Sequence, residues 1–174
     1  MKIDYPLNFI KANSLFDVGD RLSNLLSSYD KYIFITGQTK SEQIAAKLIE
    51  ILKNKPIKVF KVDIKTHQKI DEIFKKISKS NIDCIVSVGG GVVTDFAKRL
   101  AHLLDINLLS IPTTIANDGM ASPIAVINEN QRKRSLIGKM PNVIIVPLDI
   151  IKKAPSKFIK SALLDTLSNV SAVN

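Results

Sequence analysis

Apolar positions along residues 31–111 alternate between two patterns, short continuous runs and a recurrence every three or four residues. The run-like or alternating pattern is typical of strands, and it covers 31–36, 57–62, 83–88 and 107–111. The helical recurrence lies between these segments, in 41–54, 66–79 and 92–104. Strands that alternate with helices favour parallel pairing and right-handed crossovers, so the pattern predicts an α/β fold built on a Rossmann-like parallel sheet. Ser41 is placed to cap the first of these helices.

The chain after residue 111 is less regular. Residues 112–123 form a long polar connection, a type of loop that often carries function. Segments 124–127 and 135–137 enclose a charged turn and predict a hairpin, and 143–146 predicts a further short strand. A helical pattern follows Pro155.

Three consecutive glycines, Gly89, Gly90 and Gly91, stand where the third predicted strand meets a helix. Glycines let a ligand approach the backbone closely, and the free N–H groups of a helix start favour an anion such as a phosphate. A plain strand-to-helix turn is the alternative, although one glycine would satisfy it. The glycines and residues 112–118 both follow strands, so we expect them to line one cleft at the carboxyl edge of the sheet.

Composition narrows the class of protein. The 174 residues suit one domain, 45% of them are hydrophobic, and no apolar run reaches the ~20 residues that cross a bilayer, so no membrane insertion is expected. The net charge is +9, but the lysines are dispersed and no aromatic ladder accompanies them. Solvated helix faces are therefore the favoured interpretation, no nucleic-acid partner is expected, and attraction of a small phosphorylated substrate is a further alternative. The single cysteine, Cys84, is predicted to be buried and inert, and the absence of a signal-like N-terminus predicts a cytoplasmic protein.

The segment 89–98, GGGVVTDFAK, resembles the GGGxxxDxAK signature of the iron-containing alcohol dehydrogenase superfamily, which includes glycerol dehydrogenases and is related in fold to dehydroquinate synthases. The spacing to IPTT at 111–114 fits the same superfamily. The stretch NDGMASP at 117–123 is most similar to the loop of the sn-glycerol-1-phosphate dehydrogenases. Together these motifs extend the resemblance over about 33–165.

The resemblance implies a role for each matching residue. Those that bind NAD or NADP would include Gly89, Gly90, Gly91, Val92, Val93, Thr94 and Asp95, and 91–95 would hold the pyrophosphate. Thr113, Thr114 and Ser122 would lie near the nicotinamide, and Asp118 would bind substrate hydroxyls. The residues alone leave alternatives: a turn after proline for the two threonines, a simple turn for 118–119, and a loop N–H as the partner of Asp95. Lys98 is either a solvated helix residue or leans toward a phosphate.

The resemblance further implies a divalent metal (zinc, iron or nickel) held by one Asp and two His, which polarises the carbonyl of dihydroxyacetone phosphate during reduction to sn-glycerol 1-phosphate. Asp165 matches the Asp by position as catalytic and metal-binding residue, but 162–164 lack the glycines that usually precede it. The two His belong to a C-terminal helical domain, and neither His67 nor His102 matches them. The family is about twice as long as this chain.

We therefore expect a dinucleotide-binding domain over 1–153 and, over 154–174, the first helix of a helical domain that is otherwise absent. A truncated or fragmentary dehydrogenase of little activity alone is the favoured interpretation, and a non-catalytic nucleotide-binding or partner-binding remnant is the alternative. The last helix would leave an apolar patch for a second copy or a partner chain; its residues are Leu163, Leu164, Leu167 and Val170. Asp63, after the second predicted strand, could favour NAD, but the sequence does not decide between NAD and NADP.

Overall fold

The computed structural model describes residues 8–129 and 132–171. Its strands are β1 (Asn8–Ala12), β2 (Tyr32–Thr36), β3 (Lys58–Lys61), β4 (Cys84–Gly89), β5 (Asn107–Pro112), β6 (Ile124–Glu129), β7 (Arg132–Ile137) and β8 (Val143–Pro147). Its helices are α1 (Leu15–Leu26), α2 (Lys40–Ile51), α3 (His67–Ile77), α4 (Gly91–Leu104), α5 (Leu148–Ile151) and α6 (Ser156–Ser171), with a 3-10 helix at Asp118–Ala121. In the part described, no helix combines the length and apolar character needed to span a bilayer.

Six of the strands form one parallel sheet in the order β1-β8-β5-β4-β2-β3. From β2 the chain first adds β3 on one side, then crosses over to place β4, β5 and β8 on the other side. The strand order therefore reverses between β2 and β4, and ligands of such sheets bind at the carboxyl ends of the strands beside that reversal. The predicted α/β fold is confirmed.

Helices cover both faces of the sheet, which is why the central strands are apolar on both sides. Ile33 and Ile35 of β2 face a core shared with α3 and α4, whereas Phe34 between them faces the core shared with α1 and α2. The helices contribute apolar stripes at helical spacing, such as Ile70, Ile73 and Ile77 of α3. These two cores fix the positions from which the loops at the carboxyl edge project.

The predicted elements between residues 31 and 147 are present, including the antiparallel hairpin β6–β7. The expected cap of α2 is wrong. The helix begins at Lys40 after Thr39, and the Ser41 hydroxyl instead accepts a hydrogen bond at 3.2 Å from the N–H of Gly37, which follows β2. Ser41 thus orders the turn at the end of β2.

Two elements before residue 31 were not predicted. Strand β1 is an edge strand that pairs with β8, with Asn8 opposite Val143. Helix α1 starts after Ser14, whose hydroxyl accepts a hydrogen bond from the N–H of Asp17. This is an ordinary N-cap. The sequence therefore carried a helix-start signal at this point, but it lies outside residues 31–111, whose periodicity gave the predicted elements.

Candidate functional site at the glycine turn

The glycine turn joins the end of β4 to the start of α4. The carbonyl of Gly89 accepts a hydrogen bond at 3.0 Å from the N–H of Thr113, so the ends of β4 and β5 are tied together. Gly90 precedes the helix in an extended conformation, and no side chain caps the first turn of α4. The N–H groups of that turn are therefore left for water or for an anion.

Gly90 and Gly91 differ in the space available for a Cβ atom and not in the sign of φ. No glycine in the described part of the chain has a positive φ. A Cβ at Gly90 would lie 2.8 Å from the Thr114 hydroxyl oxygen, so this position is crowded by the chain itself. A Cβ at Gly91 would have no atom within 4 Å, which means that nothing in the described chain requires glycine there.

A cleft of about 460 Å³ opens beside Gly91, and we refer to it as the first cleft. One wall is the start of α4, with Thr94 and Asp95, and the opposite wall is the loop that carries Asn117, Gly119 and Ser122. The expectation that the glycine turn and the loop after β5 line one cleft is therefore confirmed.

Lys98 fastens that loop to α4. Its side chain is fully buried (0% exposed), and its Nζ donates hydrogen bonds to the carbonyl of Gly119 at 2.7 Å and to the Ser122 hydroxyl at 3.3 Å. It also donates to the carbonyl of Ile124. Of the two alternatives for Lys98, the solvated helix residue is wrong, because its side chain lies on the inward side of the helix and its amine donates to the loop. Lys98 thus ties the loop wall of the first cleft to α4.

Asp95 and Lys65 form an ion pair on the wall of the first cleft. The Lys65 Nζ lies 2.5 Å from an Asp95 carboxylate oxygen, and both side chains are about 15% exposed (15% and 14%). The other carboxylate oxygen lies 3.9 Å from the Lys98 Nζ. Asp95 was expected at a pyrophosphate or on a loop N–H, whereas its partners here are two amines. Because those amines offset its charge, an anion in the cleft meets little repulsion from it.

Lys65 is a residue of the cleft that the sequence analysis missed. It lies directly before Thr66, the residue that caps α3. Its carbonyl accepts a hydrogen bond at 2.7 Å from the N–H of Asn128, on the hairpin strand β6. The start of α3 is thereby held against the hairpin, which brings the Lys65 amine to Asp95. That meeting depends on residues 30 apart and left no local pattern.

The remaining residues expected at the cofactor divide into two groups. Val93 is buried in the core, and the Thr94 hydroxyl donates a hydrogen bond to the Gly90 carbonyl at 3.2 Å. Both residues therefore stabilise the glycine turn from the interior of the protein. Val92 is partly exposed at the surface of α4. Thr113 faces away from the first cleft and lines a second one.

The substrate loop is only partly described. The Asn117 side chain accepts a hydrogen bond at 3.1 Å from the N–H of Gly119, which shapes the start of the 3-10 helix. Asp118 begins that helix, and its side chain lies outside the described part of the structure. Its neighbours on both sides line the first cleft.

Asp165 lies on α6, half-buried, and α6 contacts the 3-10 helix. Over residues 8–129 and 132–171, no three His, Cys, Asp or Glu side chains come together in a group that could hold a metal ion. His67 opens α3 with its Nε2 3.6 Å from a Glu129 oxygen, and His102 is exposed near the end of α4. The described residues therefore do not fit a three-ligand metal centre, and Asp165 would be one ligand that this chain offers.

A second cleft of about 530 Å³ lies on the other side of Thr114, which lines both clefts. Its apolar wall contains Leu15, Ile44 and Ile150. Three lysines lie around it: Lys40, Lys47 and Lys153. The two clefts meet at the glycine turn, because Gly90 is the residue that faces the Thr114 hydroxyl.

A parallel sheet with helices on both faces, and a glycine turn beside the reversal of strand order, define a Rossmann-like α/β protein. The chain belongs to the iron-containing alcohol dehydrogenase family, whose sequence model matches residues 9–155. The resemblance based on the two motifs is thereby confirmed.

Among similar proteins, the glycerol-1-phosphate dehydrogenase [NAD(P)+] of Methanosphaera stadtmanae is 38% identical over 159 residues, which is 90% of this chain and 45% of the relative. The enzyme of the same name from Thermoplasma volcanium is 32% identical over 92% of this chain and 45% of its own length. The chain thus spans a little under half the length of these relatives.

Solved structures agree on the fold. An iron-containing alcohol dehydrogenase from Corynebacterium glutamicum superposes with a TM-score of 0.78 at 18% identity, over 95% of this chain and 47% of that chain. A glycerol dehydrogenase from Schizosaccharomyces pombe gives a TM-score of 0.76 at 23% identity, over 96% of this chain and 44% of the other.

Proposed function

We propose that this chain is the dinucleotide-binding part of an NAD(P)-dependent, metal-dependent dehydrogenase that interconverts dihydroxyacetone phosphate and sn-glycerol 1-phosphate. The observation that carries the proposal is the junction of the two clefts at Gly90 and Thr114. A dinucleotide has two nucleoside halves joined by a pyrophosphate, and this junction has one cleft on each side. The similarity to glycerol-1-phosphate dehydrogenases supports the choice of substrate.

In this proposal the uncapped N–H groups at the start of α4 bind the pyrophosphate, and Gly91 lets it approach the backbone. The Thr114 hydroxyl lies where the two clefts meet, and it orients the cofactor between its two nucleoside halves. The Ser122 hydroxyl, held by Lys98, would face the nicotinamide half in the first cleft. A bound nicotinamide supplies the hydride, while the protein provides its orientation and excludes water.

Asp118 and Asp165 are proposed to act on the substrate side. Asp118 lies in the loop between two residues that line the first cleft, which supports a hydrogen bond to substrate hydroxyls. Asp165 belongs to the helix that contacts this loop, and its carboxylate is proposed as a metal ligand. Because the described residues do not assemble the other ligands, we propose that the isolated chain binds nucleotide and has little or no turnover.

The test is calorimetric titration of the purified 174-residue chain with NAD+ and with NADP+. Saturable binding with one site per chain is expected. Absence of binding by both nucleotides at millimolar concentration would refute the proposed site. Rapid, chelator-sensitive oxidation of NADH or NADPH by dihydroxyacetone phosphate with this chain alone would refute the expectation of an inactive chain.

The exposed face of α6 supports a partner for this domain. Leu163, Leu164 and Leu167 are 59%, 68% and 63% exposed on consecutive turns of one helix. Apolar side chains exposed in such a group favour burial against another polypeptide. We propose that this face is covered either by a second copy or by a chain that supplies the remaining metal ligands. A monodisperse monomer by light scattering at 100 μM, roughly the range of weak association, would contradict a stable second copy.

A further inference from the structure

We propose that the second cleft binds the adenosine end of the cofactor and selects NADP(H) over NAD(H), with Lys40, Lys47 and Lys153 holding the 2′-phosphate. This inference depends on the proposed function, because it assigns the two halves of the dinucleotide to the two clefts. It goes further by naming the residues that set the cofactor preference.

The surroundings of the two clefts decide which half of the dinucleotide each one holds. The loop around Asp118 lines the first cleft, and α6 contacts the 3-10 helix of that loop. The reacting half must lie beside these residues, so the nicotinamide belongs in the first cleft. With the pyrophosphate at Gly90 and Thr114, the adenosine half then extends into the second cleft, which shares Thr114.

The walls of the second cleft suit a purine nucleoside. Leu15, Ile44 and Ile150 offer apolar surface on which a planar base can pack. Asp149 lines the same cleft, and its Oδ1 is buried without a hydrogen-bond partner among the described residues. A buried acceptor without a donor is costly. The amino group of adenine would supply the donor that Asp149 lacks here, which places this carboxylate at the base and not at the ribose.

The charges around the cleft favour an added phosphate. Lys40 is the first residue of α2, Lys47 lies about two turns further along the same helix, and Lys153 follows α5. All three are exposed, and none is in an ion pair with another described residue. Asp149 is the acidic residue among those that line the cleft. A 2′-phosphate monoester carries a charge of roughly −1.5 to −2 at pH 7, so three amines against one carboxylate attract it.

The acidic side chain that would instead favour NAD is elsewhere. Asp63, which follows β3 and was considered for the ribose 2′-hydroxyl, is exposed and does not line the second cleft. A carboxylate near the ribose selects NAD because it repels the 2′-phosphate, whereas cations nearby accept that phosphate. The distribution of charge at this cleft therefore corresponds to NADP(H).

The experiment is calorimetric titration of the 174-residue chain with NADP+ and NAD+, repeated on the triple variant Lys40→Gln, Lys47→Gln and Lys153→Gln. NADP+ is expected to bind at least about tenfold more tightly than NAD+, and the triple variant to lose that preference while its NAD+ affinity changes less than about threefold. Lys75→Gln, an exposed lysine of α3 that lines neither cleft, is the matched control and should leave both affinities unchanged.

Fragments of the cofactor locate the effect. In competition with NADP+, 2′,5′-ADP should bind more tightly than 5′-AMP to the original chain and equally to the triple variant. Equal affinities for NAD+ and NADP+, or a preference that survives in the triple variant, would overturn this inference and leave the proposed function intact. If neither dinucleotide binds, both fail together.

Discussion

Replacing Gly91 by alanine separates a glycine kept for the fold from one kept for a ligand. In the described chain a Cβ at this position meets no atom within 4 Å, and the residue does not have a positive φ. Alanine in a compatible conformation stabilises a protein by about 0.4–1 kcal/mol, chiefly because the unfolded chain loses freedom. For a chain of this size that gain raises the unfolding midpoint by about 1–4 °C.

The same methyl group projects into the space that the pyrophosphate is proposed to occupy. Gly91 lines the first cleft at the uncapped start of α4. A phosphate displaced from the backbone there loses at least one hydrogen bond to a charged group, worth about 1.5–3 kcal/mol. We therefore expect the affinity for NADP+ or NAD+ to fall by about 10- to 100-fold.

Thermal unfolding without nucleotide and calorimetric titration with nucleotide test the two effects on the same variant. Gly90→Ala is a useful contrast, since its Cβ would lie 2.8 Å from the Thr114 hydroxyl and should reduce both stability and affinity. Gly91→Ala should move them in opposite directions. Unchanged affinity in Gly91→Ala would refute the close approach of a phosphate to this backbone.

Three further predictions concern other parts of the chain. Lys98→Met leaves the loop carbonyls without their donor, so we expect a loss of about 3 kcal/mol, seen as a midpoint lowered by about 6–12 °C, and faster amide exchange at Gly119. Burial raises the pKa of the Cys84 thiol to about 12 from 9.0, so its thiolate at pH 8 is about a thousand times scarcer than that of an ordinary thiol. Alkylation of the folded chain should therefore be slow, and prompt alkylation would contradict this. Hydrogen bonds from Lys76 and Lys69 lower the pKa of Glu72 to about 2, so its stabilisation is present above about pH 4.5 and is lost as pH falls through 2. Glu72→Gln should lower the midpoint slightly at pH 7 and match the original chain only below about pH 2.

Elements with strong local periodicity could be predicted from the sequence, and the parts fixed by distant contacts could not. Strand β4 and helix α4 follow from an apolar run, a glycine turn and a helical stripe, all within 20 residues or so. Strand β1 is largely exposed and is a strand because it pairs with β8, at the far end of the sequence. Helix α1 was predictable, because Ser14 provides a cap and Val18 and Leu22 begin an apolar stripe.

The candidate site shows the same division. Motif spacing placed the glycine turn and the loop after β5 at one edge of the sheet, and the first cleft confirms that placement. The sequence left two alternatives for Lys98, a solvated residue or one leaning toward a phosphate, because a lysine near the middle of a helix is usually solvated. Its burial depends on loop carbonyls 21 and 26 residues further along the chain. The contact of Lys65 with Asp95 depends on the hairpin that holds the start of α3, and no local sequence pattern links the two residues.

These contacts hold some parts of the site more firmly than others. Helix α4 carries the glycine turn, the Asp95 ion pair and the Lys98 anchor, so the walls of the first cleft are fixed to one buried helix. Asp165 instead belongs to α6, whose leucines remain exposed. If the first cleft holds the cofactor, as proposed, nucleotide binding needs only this chain, whereas turnover needs metal ligands that the described residues do not assemble. Binding and turnover should therefore be separable: a partner that covers α6 should raise activity far more than it raises nucleotide affinity.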